Sequence, residues 1–311
     1  MNVLALKRVH ALFPLLLLLL CGSQSVFAAD VAPAAGEDAG ALRGRYAALA
    51  LQLTNNQFQR PLYLESHETS ESLKGDIYAV IEQPYGIVAP ALQGADHWCD
   101  ILILHLNVKN CQASRVPGTG EILRVAIGRK YDIPLADAYS IDFDYRVGAA
   151  NADYLQVRLS AESGPMGTSN YHIIVEAVPL DQRRTFLHLT YSYAYGTTAR
   201  LAMAVYLATI GRSKVGFTIV ERRAGGQPAY IGGVRGVIER NAMRYYLAIE
   251  AYLGAVNLPL AEQLERRLQG WYTAIERYPV QLHELERSEY IDMKHREVQR
   301  HHVDAGHVHT E

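Results

Sequence analysis

Alternating apolar and polar positions mark five consecutive segments in the middle of the chain. The clearest is TFLHLTYSYAYG, residues 185–196, in which leucines and tyrosines occupy every second position. Because successive side chains of a strand point to opposite faces, this spacing predicts a β-strand with one aromatic face and one more polar face. The same period occurs at residues 123–127, 139–147, 155–161 and 171–175. Short connections between these segments predict an antiparallel meander with one covered face and one wet face.

Upstream of the meander, the apolar spacing changes from helical to strand-like. Residues 41–59 repeat apolar side chains at every third or fourth position, which predicts a helix that ends before Pro61. Residues 75–82 contain β-branched side chains and predict a strand. Residues 84–96 then predict a short helix, and residues 101–108 predict a second strand.

Downstream of the meander, helical patterns dominate. Residues 232–256 carry an apolar stripe at three- and four-residue intervals, which predicts a long amphipathic helix. Its charged residues, among them Glu239, Arg240 and Arg244, are predicted to lie mostly away from that stripe. The other segments predict a helix at 197–211, a strand at 215–221, a helix that begins after Pro259, a charged helix at 282–300 and a disordered, histidine-rich tail at 301–311.

This order of strand, short helix, strand, meander and long helix resembles the START-like superfamily, also called SRPBCC. The segments that carry the resemblance are GDIY at 75–78, HWC at 97–99, the meander at 121–196 and the helix at 232–256. The resemblance implies an α+β, helix-grip domain at residues 75–256, in which a curved antiparallel sheet wraps around the long C-terminal helix. In that family, a cavity between sheet and helix holds lipids, sterols or polyketides. The chain departs from the family's order by an insert before the long helix and by extra C-terminal helices.

The N-terminus has the pattern of a signal peptide, which we place at residues 1–29. Lys7 and Arg8 precede an apolar, leucine-rich run, and small residues follow at the usual cleavage positions up to Ala28. We therefore expect an exported bacterial protein in the periplasm, with a secreted or signal-anchored form as the alternative. Residues 30–74 are interpreted as a leader and an N-terminal helix, and residues 257–300 as a helical extension. We expect no transmembrane segment in the mature chain.

Export determines how the cysteines are interpreted. Only Cys99 and Cys111 remain after the predicted cleavage, and they are close in sequence. Two cysteines in an exported chain are expected to form a disulfide. Two buried free thiols are the alternative.

Composition and motifs exclude several function classes. The net charge of −2 argues against a nucleic-acid partner, which would require a basic surface. Neither a nucleophile elbow nor a zinc-binding H-E-x-x-H helix, a P-loop or a dinucleotide fingerprint occurs in the sequence. We therefore predict no cofactor, no metal site and no catalytic residue. The C-terminal histidines could bind a transition metal, but a solvated tail is the favoured interpretation.

Polar residues near the disulfide and in the last strand were considered for acid–base chemistry. His97, Asp100 and His105 are close in sequence and could form such a group. We interpret them instead as ordinary polar residues beside the disulfide. His188 falls on the more polar face of its strand, so we predict that it lies at the surface.

Tyrosines give the strongest indication of a ligand site. The chain has 20 tyrosines and 6 phenylalanines. Tyrosines recur in the apolar register of three strands, and each buried hydroxyl needs a hydrogen-bond partner. This favours a cavity with polar groups over a dry core, although a packed core stays possible. Arg200 follows the last strand and could receive an anionic head group. The candidate ligand-binding residues are Tyr139, Phe143, Tyr145, Tyr171, Tyr191, Tyr193, Tyr195, Arg200 and Tyr245.

Three function classes fit these expectations. We favour a periplasmic binding or carrier protein for a lipid or another hydrophobic small molecule, because such ligands require a largely apolar pocket with few polar groups. A cyclase- or hydrolase-type enzyme that uses the same cavity is the alternative. A third hypothesis is an envelope interaction module that contacts a protein partner through residues 282–300.

Overall fold

An eight-stranded antiparallel sheet forms the centre of the fold. The computed structural model describes residues 39–307, except for residues 119, 198–199, 202, 204–206, 208 and 210, with side chains up to Arg300. The strand order is β1-β2-β8-β7-β6-β5-β4-β3. The strands are β1 (Leu62–Glu68), β2 (Ser72–Ile81), β3 (Val108–Val116), β4 (Gly120–Ile127), β5 (Tyr139–Ala150), β6 (Leu155–Ser163), β7 (Thr168–Pro179) and β8 (Thr185–Tyr195).

Helices precede, interrupt and follow the sheet. A small hairpin of β9 (Ile219–Arg222) and β10 (Pro228–Tyr230) lies in the insert after β8. The helices are α1 (Ala39–Ala48), α2 (Ala50–Thr54), α3 (Tyr85–Leu92), α4 (Ala95–Leu102), α5 (Gly233–Leu253), α6 (Leu260–Ile275), α7 (Pro279–Leu282) and α8 (Arg287–His307).

Helix α5 packs on one face of the sheet, which we call the inner face. Its buried residues Ile238, Ala242 and Ile249 recur at helical spacing and join the main core with Leu189 of β8. Gly75 permits a close approach, because a Cβ atom there would lie 3.1 Å from the Cβ atom of Ala242. The element order and the sheet topology confirm the expected α+β, helix-grip fold.

The opposite face, which we call the outer face, is also covered over part of its area. Leu42 of α1 and Leu53 of α2 pack against Tyr78, Val178 and Phe186 in a second hydrophobic cluster. The prediction of one wet face of the meander is therefore wrong for β7 and β8. The reason is that the N-terminal helices bury this face, whereas the strand pattern alone does not show what lies above it.

The segment around the disulfide differs from the predicted strand at residues 101–108. Trp98, Ile101 and Leu102 are buried on one side of helix α4, and the strand begins only at Val108. The apolar run thus comprises the end of a helix and the turns that follow it, since short apolar runs do not determine one structure. A disulfide joins Cys99 of α4 to Cys111 of β3, so the predicted pairing is present.

The N-terminal segment is more broken than predicted. The helix expected at residues 41–59 is divided into α1 and the shorter α2, which ends at Thr54. Residues 62–68 form strand β1, although their sequence is polar and gave no clear pattern. The predicted signal peptide at residues 1–29 lies outside the described residues.

Helix α8 at the C-terminal end packs against the sheet through buried charged residues. Lys294 and Glu297 of α8 are fully buried, and both Lys294 and Lys109 of β3 form ion pairs with Glu297, at 2.8 and 2.9 Å. Helix α8 continues to His307, beyond the predicted start of the disordered tail, and residues 308–311 lie outside the described part. The helix predicted at 197–211 falls partly on residues that the structure does not describe. No helix among the described residues combines the length and apolarity needed to cross a membrane.

Candidate ligand cavity

A cavity of about 1220 Å³ lies against the inner face of the sheet. Its walls come from β7, β8, helix α5 and the connection between β4 and β5. Its volume lies slightly above the range of about 300–1,000 Å³ that is usual for small-molecule sites. Apolar and aromatic side chains of the lining include Leu73, Ile127, Ile133, Val234, Val237, Tyr171, Tyr191, Tyr193 and Tyr195.

Four of the predicted tyrosines form one wall of this cavity. Tyr171 stacks on Tyr193 with ring centroids 5.2 Å apart, and Tyr193 contacts Tyr191 at 5.8 Å. The tyrosines of β8 share this wall because they alternate along one face of the strand. Burial raises the pKa of Tyr191 and of Tyr193, so both side chains keep their hydroxyl proton at neutral pH.

The hydroxyls of this wall differ in their hydrogen bonds. Tyr195 donates to the carbonyl oxygen of Thr69, and Tyr171 donates to Oγ1 of Thr168, each at 2.8 Å. The hydroxyls of Tyr191 and Tyr193 form no hydrogen bond with any residue that the structure describes. Buried polar groups normally have a partner, so these two hydroxyls are available to a bound molecule or to water.

Three other candidates lie near the cavity but do not line it. The hydroxyl of Tyr145 accepts a hydrogen bond from the backbone amide of Gly94 at 2.7 Å, which fixes that ring away from the cavity. Phe143 packs edge-on behind Tyr171, with centroids 6.3 Å apart. Tyr245 lies behind Tyr191, at 5.0 Å. These residues support the lining side chains.

The last two candidates lie at the periphery. Tyr139 is 44% exposed at the start of β5 and is not part of the lining. Arg200 lines the cavity, donates to the carbonyl oxygen of Ser70 and lies over the ring of Tyr195 at 5.7 Å.

A cluster of charged residues that the sequence did not reveal also borders the cavity. Lys130 and Arg244 line it, and both form ion pairs with Glu284, which also pairs with Lys214 at 3.0 Å. Burial alone would raise the pKa of Glu284, but the charges of Lys130 and Arg244 outweigh it and lower this pKa to about 2. Burial and the charge of Arg244 lower the pKa of Lys130 to about 8.

The charged residues predicted to lie mostly away from the apolar stripe of the long helix are also buried. Glu239, Arg240 and Arg244 are all buried, and both arginines line the cavity. The insert and the residues after α7 cover this second side of α5: Glu239 accepts a hydrogen bond from the amide of Thr218 at 2.9 Å, and Arg244 donates to Glu284. The only sequence signal was the spacing of four residues between the two arginines, which places them on one side of a helix.

His188 is buried on the outer face, so the prediction of a surface position is wrong. Its Nδ1 and Nε2 atoms each lie 2.9 Å from a carboxylate oxygen, of Glu176 and Asp76 respectively. Burial lowers the pKa of His188, but the hydrogen bonds to these two carboxylates outweigh it and raise the pKa. Thr190 donates to Asp76 at 2.6 Å, and Tyr154 donates to Glu176. This cluster is a hydrogen-bonded layer beneath the N-terminal helices, on the face of the sheet opposite the cavity.

The proposed acid–base group near the disulfide does not form. His97 lies against Tyr252, with ring centroids 5.9 Å apart, and Asp100 pairs with Arg267 at 2.9 Å. His105 is buried beside a different aromatic ring. Each of the three side chains thus has a different neighbour, in agreement with their interpretation as ordinary polar residues.

Glu65, His67 and Asp76 could supply metal ligands, because their ligand atoms lie within 4.8 Å of one another. Asp76, however, already pairs with Lys74 at 3.0 Å and with His188 at 2.9 Å. A cation at this position would compete with both positive partners, so the group does not indicate a metal centre.

Comparisons with known proteins concern the fold only. No family model matches the sequence, and no curated protein matches it. The chain is similar to the solved structure of the Zhui aromatase/cyclase from Streptomyces sp. R1128, at 11% identity and a TM-score of 0.30, over 70% of this chain and 94% of that one. It is also similar to a START superfamily protein from Mycobacterium smegmatis, at 11% identity and a TM-score of 0.31, over 46% and 93% of the two chains.

A third similar structure is a norcoclaurine synthase point mutant from Thalictrum flavum in complex with a transition state analogue. It shares 17% identity with a TM-score of 0.30, over 47% of this chain and 89% of that chain. The functional argument below therefore rests on the residues of this chain.

Proposed function

We propose that this protein binds or carries a hydrophobic small molecule or lipid in the cavity between the sheet and helix α5. The observation that carries the proposal is the tyrosine wall, in which the hydroxyls of Tyr191 and Tyr193 lack hydrogen-bond partners among the described residues. A dry core would leave such buried groups unsatisfied at a cost of about 1–3 kcal/mol each. A ligand with a large apolar part and a few polar atoms fits both the volume and the lining.

We place this function in the periplasm. Two features support an exported protein: the signal-peptide pattern of residues 1–29 and the disulfide between Cys99 and Cys111. Fractionation of cells that express the full chain tests the location. We expect a mature, oxidised protein in the periplasmic fraction, and recovery of a full-length, reduced chain in the cytoplasm would contradict this part of the proposal.

The binding proposal is tested with a neutral probe. N-phenyl-1-naphthylamine fluoresces when it enters an apolar site, and native mass spectrometry shows any ligand that copurifies. We expect saturable fluorescence with the wild-type protein and its loss in Val237→Trp, because Val237 lines the cavity and the larger ring occupies its volume. Val280→Trp is the matched control, since Val280 is 64% exposed outside the cavity. Equal fluorescence of both variants would refute binding in this cavity.

A cyclase-type enzyme is a second candidate because of Lys130. A lysine with a pKa of about 8 at a cavity wall is partly neutral near physiological pH and could accept a proton from a bound substrate. Copurifying ligand should then be chemically altered on incubation with wild-type protein and unaltered with Lys130→Met, as followed by mass spectrometry. Recovery of unchanged ligand from the wild type would contradict the enzyme hypothesis and leave only the carrier function.

Protein partners belong to a third hypothesis, in which α8 is the contact surface. Tyr290, Met293 and Lys294 of this helix are buried in the domain, so only its other side is available to a partner. The cavity therefore gives the more specific proposal.

A further inference from the structure

Lys130 differs from the other described lysines because it lines the cavity. Among the described residues, no other lysine is part of the lining. Its side chain keeps 29% of its accessible surface, so a molecule in the cavity can reach it. Arg296 forms an ion pair with Asp132 at 2.8 Å, and Arg300 donates to the carbonyl oxygen of Ile133 at 3.2 Å. These contacts join the connection that carries Lys130 to helix α8.

The carboxylate beside Lys130 has other partners as well. Glu284 forms an ion pair with Lys130, and it also pairs with Lys214 at 3.0 Å and with Arg244 at 2.9 Å. Burial alone would raise the pKa of Glu284, but the charges of Lys130 and Arg244 lower it to about 2. Two further cations therefore hold an ionised Glu284 in place when the amine of Lys130 loses its proton or reacts.

The surroundings of Lys130 favour its neutral, nucleophilic form. Burial and the charge of Arg244 lower the pKa of Lys130 to about 8. Desolvation and a neighbouring cation are the two conditions that make a lysine amine reactive toward carbonyl groups. At about pH 7.5, the neutral fraction of such a lysine is about a hundredfold larger than that of a lysine with the ordinary pKa of about 10.4.

Lys294 shows that a lowered pKa alone does not make a reactive site. Burial lowers the pKa of Lys294 to about 8 as well. Its Nζ atom donates to the carbonyl oxygens of His105 and Val108, each at 2.8 Å. It also pairs with Glu297 at 2.8 Å, so all three protons of the ammonium group are used. Lys294 is fully buried outside the cavity lining, and access to the cavity is what distinguishes Lys130.

We propose that Lys130 forms a reversible imine with a hydrophobic carbonyl compound, an aldehyde or a ketone, that binds in the cavity. This proposal rests on the proposed function and specifies its ligand class. The lone pair of the neutral amine attacks the carbonyl carbon, and the carbonyl oxygen takes the proton that the nitrogen loses. The resulting carbinolamine releases water and leaves the imine, so no oxidant or reductant takes part. Uptake of one proton from water gives an iminium ion, which keeps a positive charge beside Glu284 while the apolar part of the ligand contacts the tyrosine wall.

The test uses tetradecanal and sodium cyanoborohydride, which reduces an imine to a stable secondary amine. Wild-type protein is incubated with both near neutral pH, and peptide mapping by mass spectrometry locates the added chain. We expect Lys130 to be modified at least about tenfold faster than the exposed Lys74, with saturation as the aldehyde concentration rises. Tetradecanol has no carbonyl group and should suppress this modification alone, because it occupies the same cavity.

Two variants locate the reacting amine. Lys130→Arg keeps a positive partner for Glu284 but has no amine that forms an imine, so the adduct should be lost. Lys214→Arg is the matched control, because Lys214 pairs with the same carboxylate and does not line the cavity. In this control, the yield of adduct at Lys130 should equal that of the wild type.

The outcomes separate the two proposals. Modification of Lys130 no faster than that of Lys74, no suppression by tetradecanol, or an equal loss of adduct in Lys214→Arg would overturn the imine assignment. If wild-type protein still binds the neutral probe N-phenyl-1-naphthylamine, the cavity function stands. Absence of both the adduct and probe binding would overturn both proposals.

Discussion

The two faces of strand β8 bury polar groups in opposite ways. On the inner face, the hydroxyls of Tyr191 and Tyr193 border the cavity and lack hydrogen bonds within the described part of the chain. On the outer face, His188 and Thr190 are hydrogen-bonded to Asp76, and His188 also to Glu176. Both sets come from one alternating segment. The comparison teaches that buried polar groups which satisfy one another do not indicate a site, whereas hydroxyls that border a cavity without protein partners are open to a ligand.

The outer cluster looks more like an active site than the inner wall. A histidine between two carboxylates is a common catalytic arrangement, and the pKa shift of His188 is of the kind found at functional sites. Structural ion-pair networks also shift pKa values, however. Here His188 stacks on Tyr78, which belongs to the hydrophobic cluster beneath α1 and α2, and the groups of the cluster satisfy one another. We therefore expect this cluster to stabilise the sheet.

The largest expected effect comes from Asp76→Ala on the outer face. This change leaves the buried His188 with one carboxylate fewer, which should lower the free energy of unfolding by about 3–5 kcal/mol. The measurement is urea unfolding near neutral pH, with Asp142→Ala as the control for an exposed pair, expected to cost less than about 1 kcal/mol. Equal losses of unfolding free energy in both variants would contradict a structural role for the cluster.

The pH dependence of the free energy of unfolding tests the structural role of His188. The pKa of His188 is raised, so its stabilising contribution is complete below its unfolded value of about 6.5 and is lost as the pH rises through the folded value. The stability gap between wild type and His188→Gln should therefore narrow as the pH rises above about 6.5. A gap that widens with pH would show that His188 is neutral in the folded state.

Asp76 gives the opposite pH dependence. Burial raises its pKa, but the hydrogen bond to His188 and the charges of His188 and Lys74 outweigh this and lower it. Its contribution is present above the unfolded value of about 3.9 and is lost as the pH falls through the folded one. The deficit of Asp76→Ala should therefore shrink in acid.

The smallest expected effects distinguish the tyrosines of the inner wall. Tyr195→Phe removes a hydrogen bond to the carbonyl oxygen of Thr69 and should cost about 1 kcal/mol of unfolding free energy. Tyr191→Phe removes a hydroxyl without a protein partner, so we expect a change within about 0.5 kcal/mol. Thermal unfolding of the two variants without ligand compares them directly. A loss in Tyr191→Phe as large as that in Tyr195→Phe would mean that the inner hydroxyl is satisfied by the protein.

Local patterns explain which parts of the fold could be predicted. The meander and helix α5 follow from period two and from helical spacing, because these elements bury one regular face each. The end of helix α4 and the turns after it were misassigned as a strand, since a short apolar run does not determine one structure. His188 is hydrogen-bonded to Asp76, 112 residues away in sequence, and no local pattern predicts such a contact.

Strand geometry also made part of the ligand cavity predictable from the sequence. Tyr191, Tyr193 and Tyr195 share a face through strand geometry, so their common wall follows from their spacing. The cluster of charged residues beside the cavity joins a loop residue, Lys130, to Arg244 of α5 and to Glu284 after α7. These residues are brought together only by the tertiary fold.

The pairing of β2 with β8 has a consequence for how the chain folds. Asp76 and His188 are 112 residues apart, so the outer cluster closes only after all the intervening strands exist. Long-range pairing of this kind is slow, because a large loop must close before the contact stabilises it. During synthesis, the β1–β2 hairpin therefore has an unpaired edge and a carboxylate without its histidine. We expect this hairpin to be the last part of the sheet to become stable, and a chain that ends before β8 to expose an edge that invites aggregation.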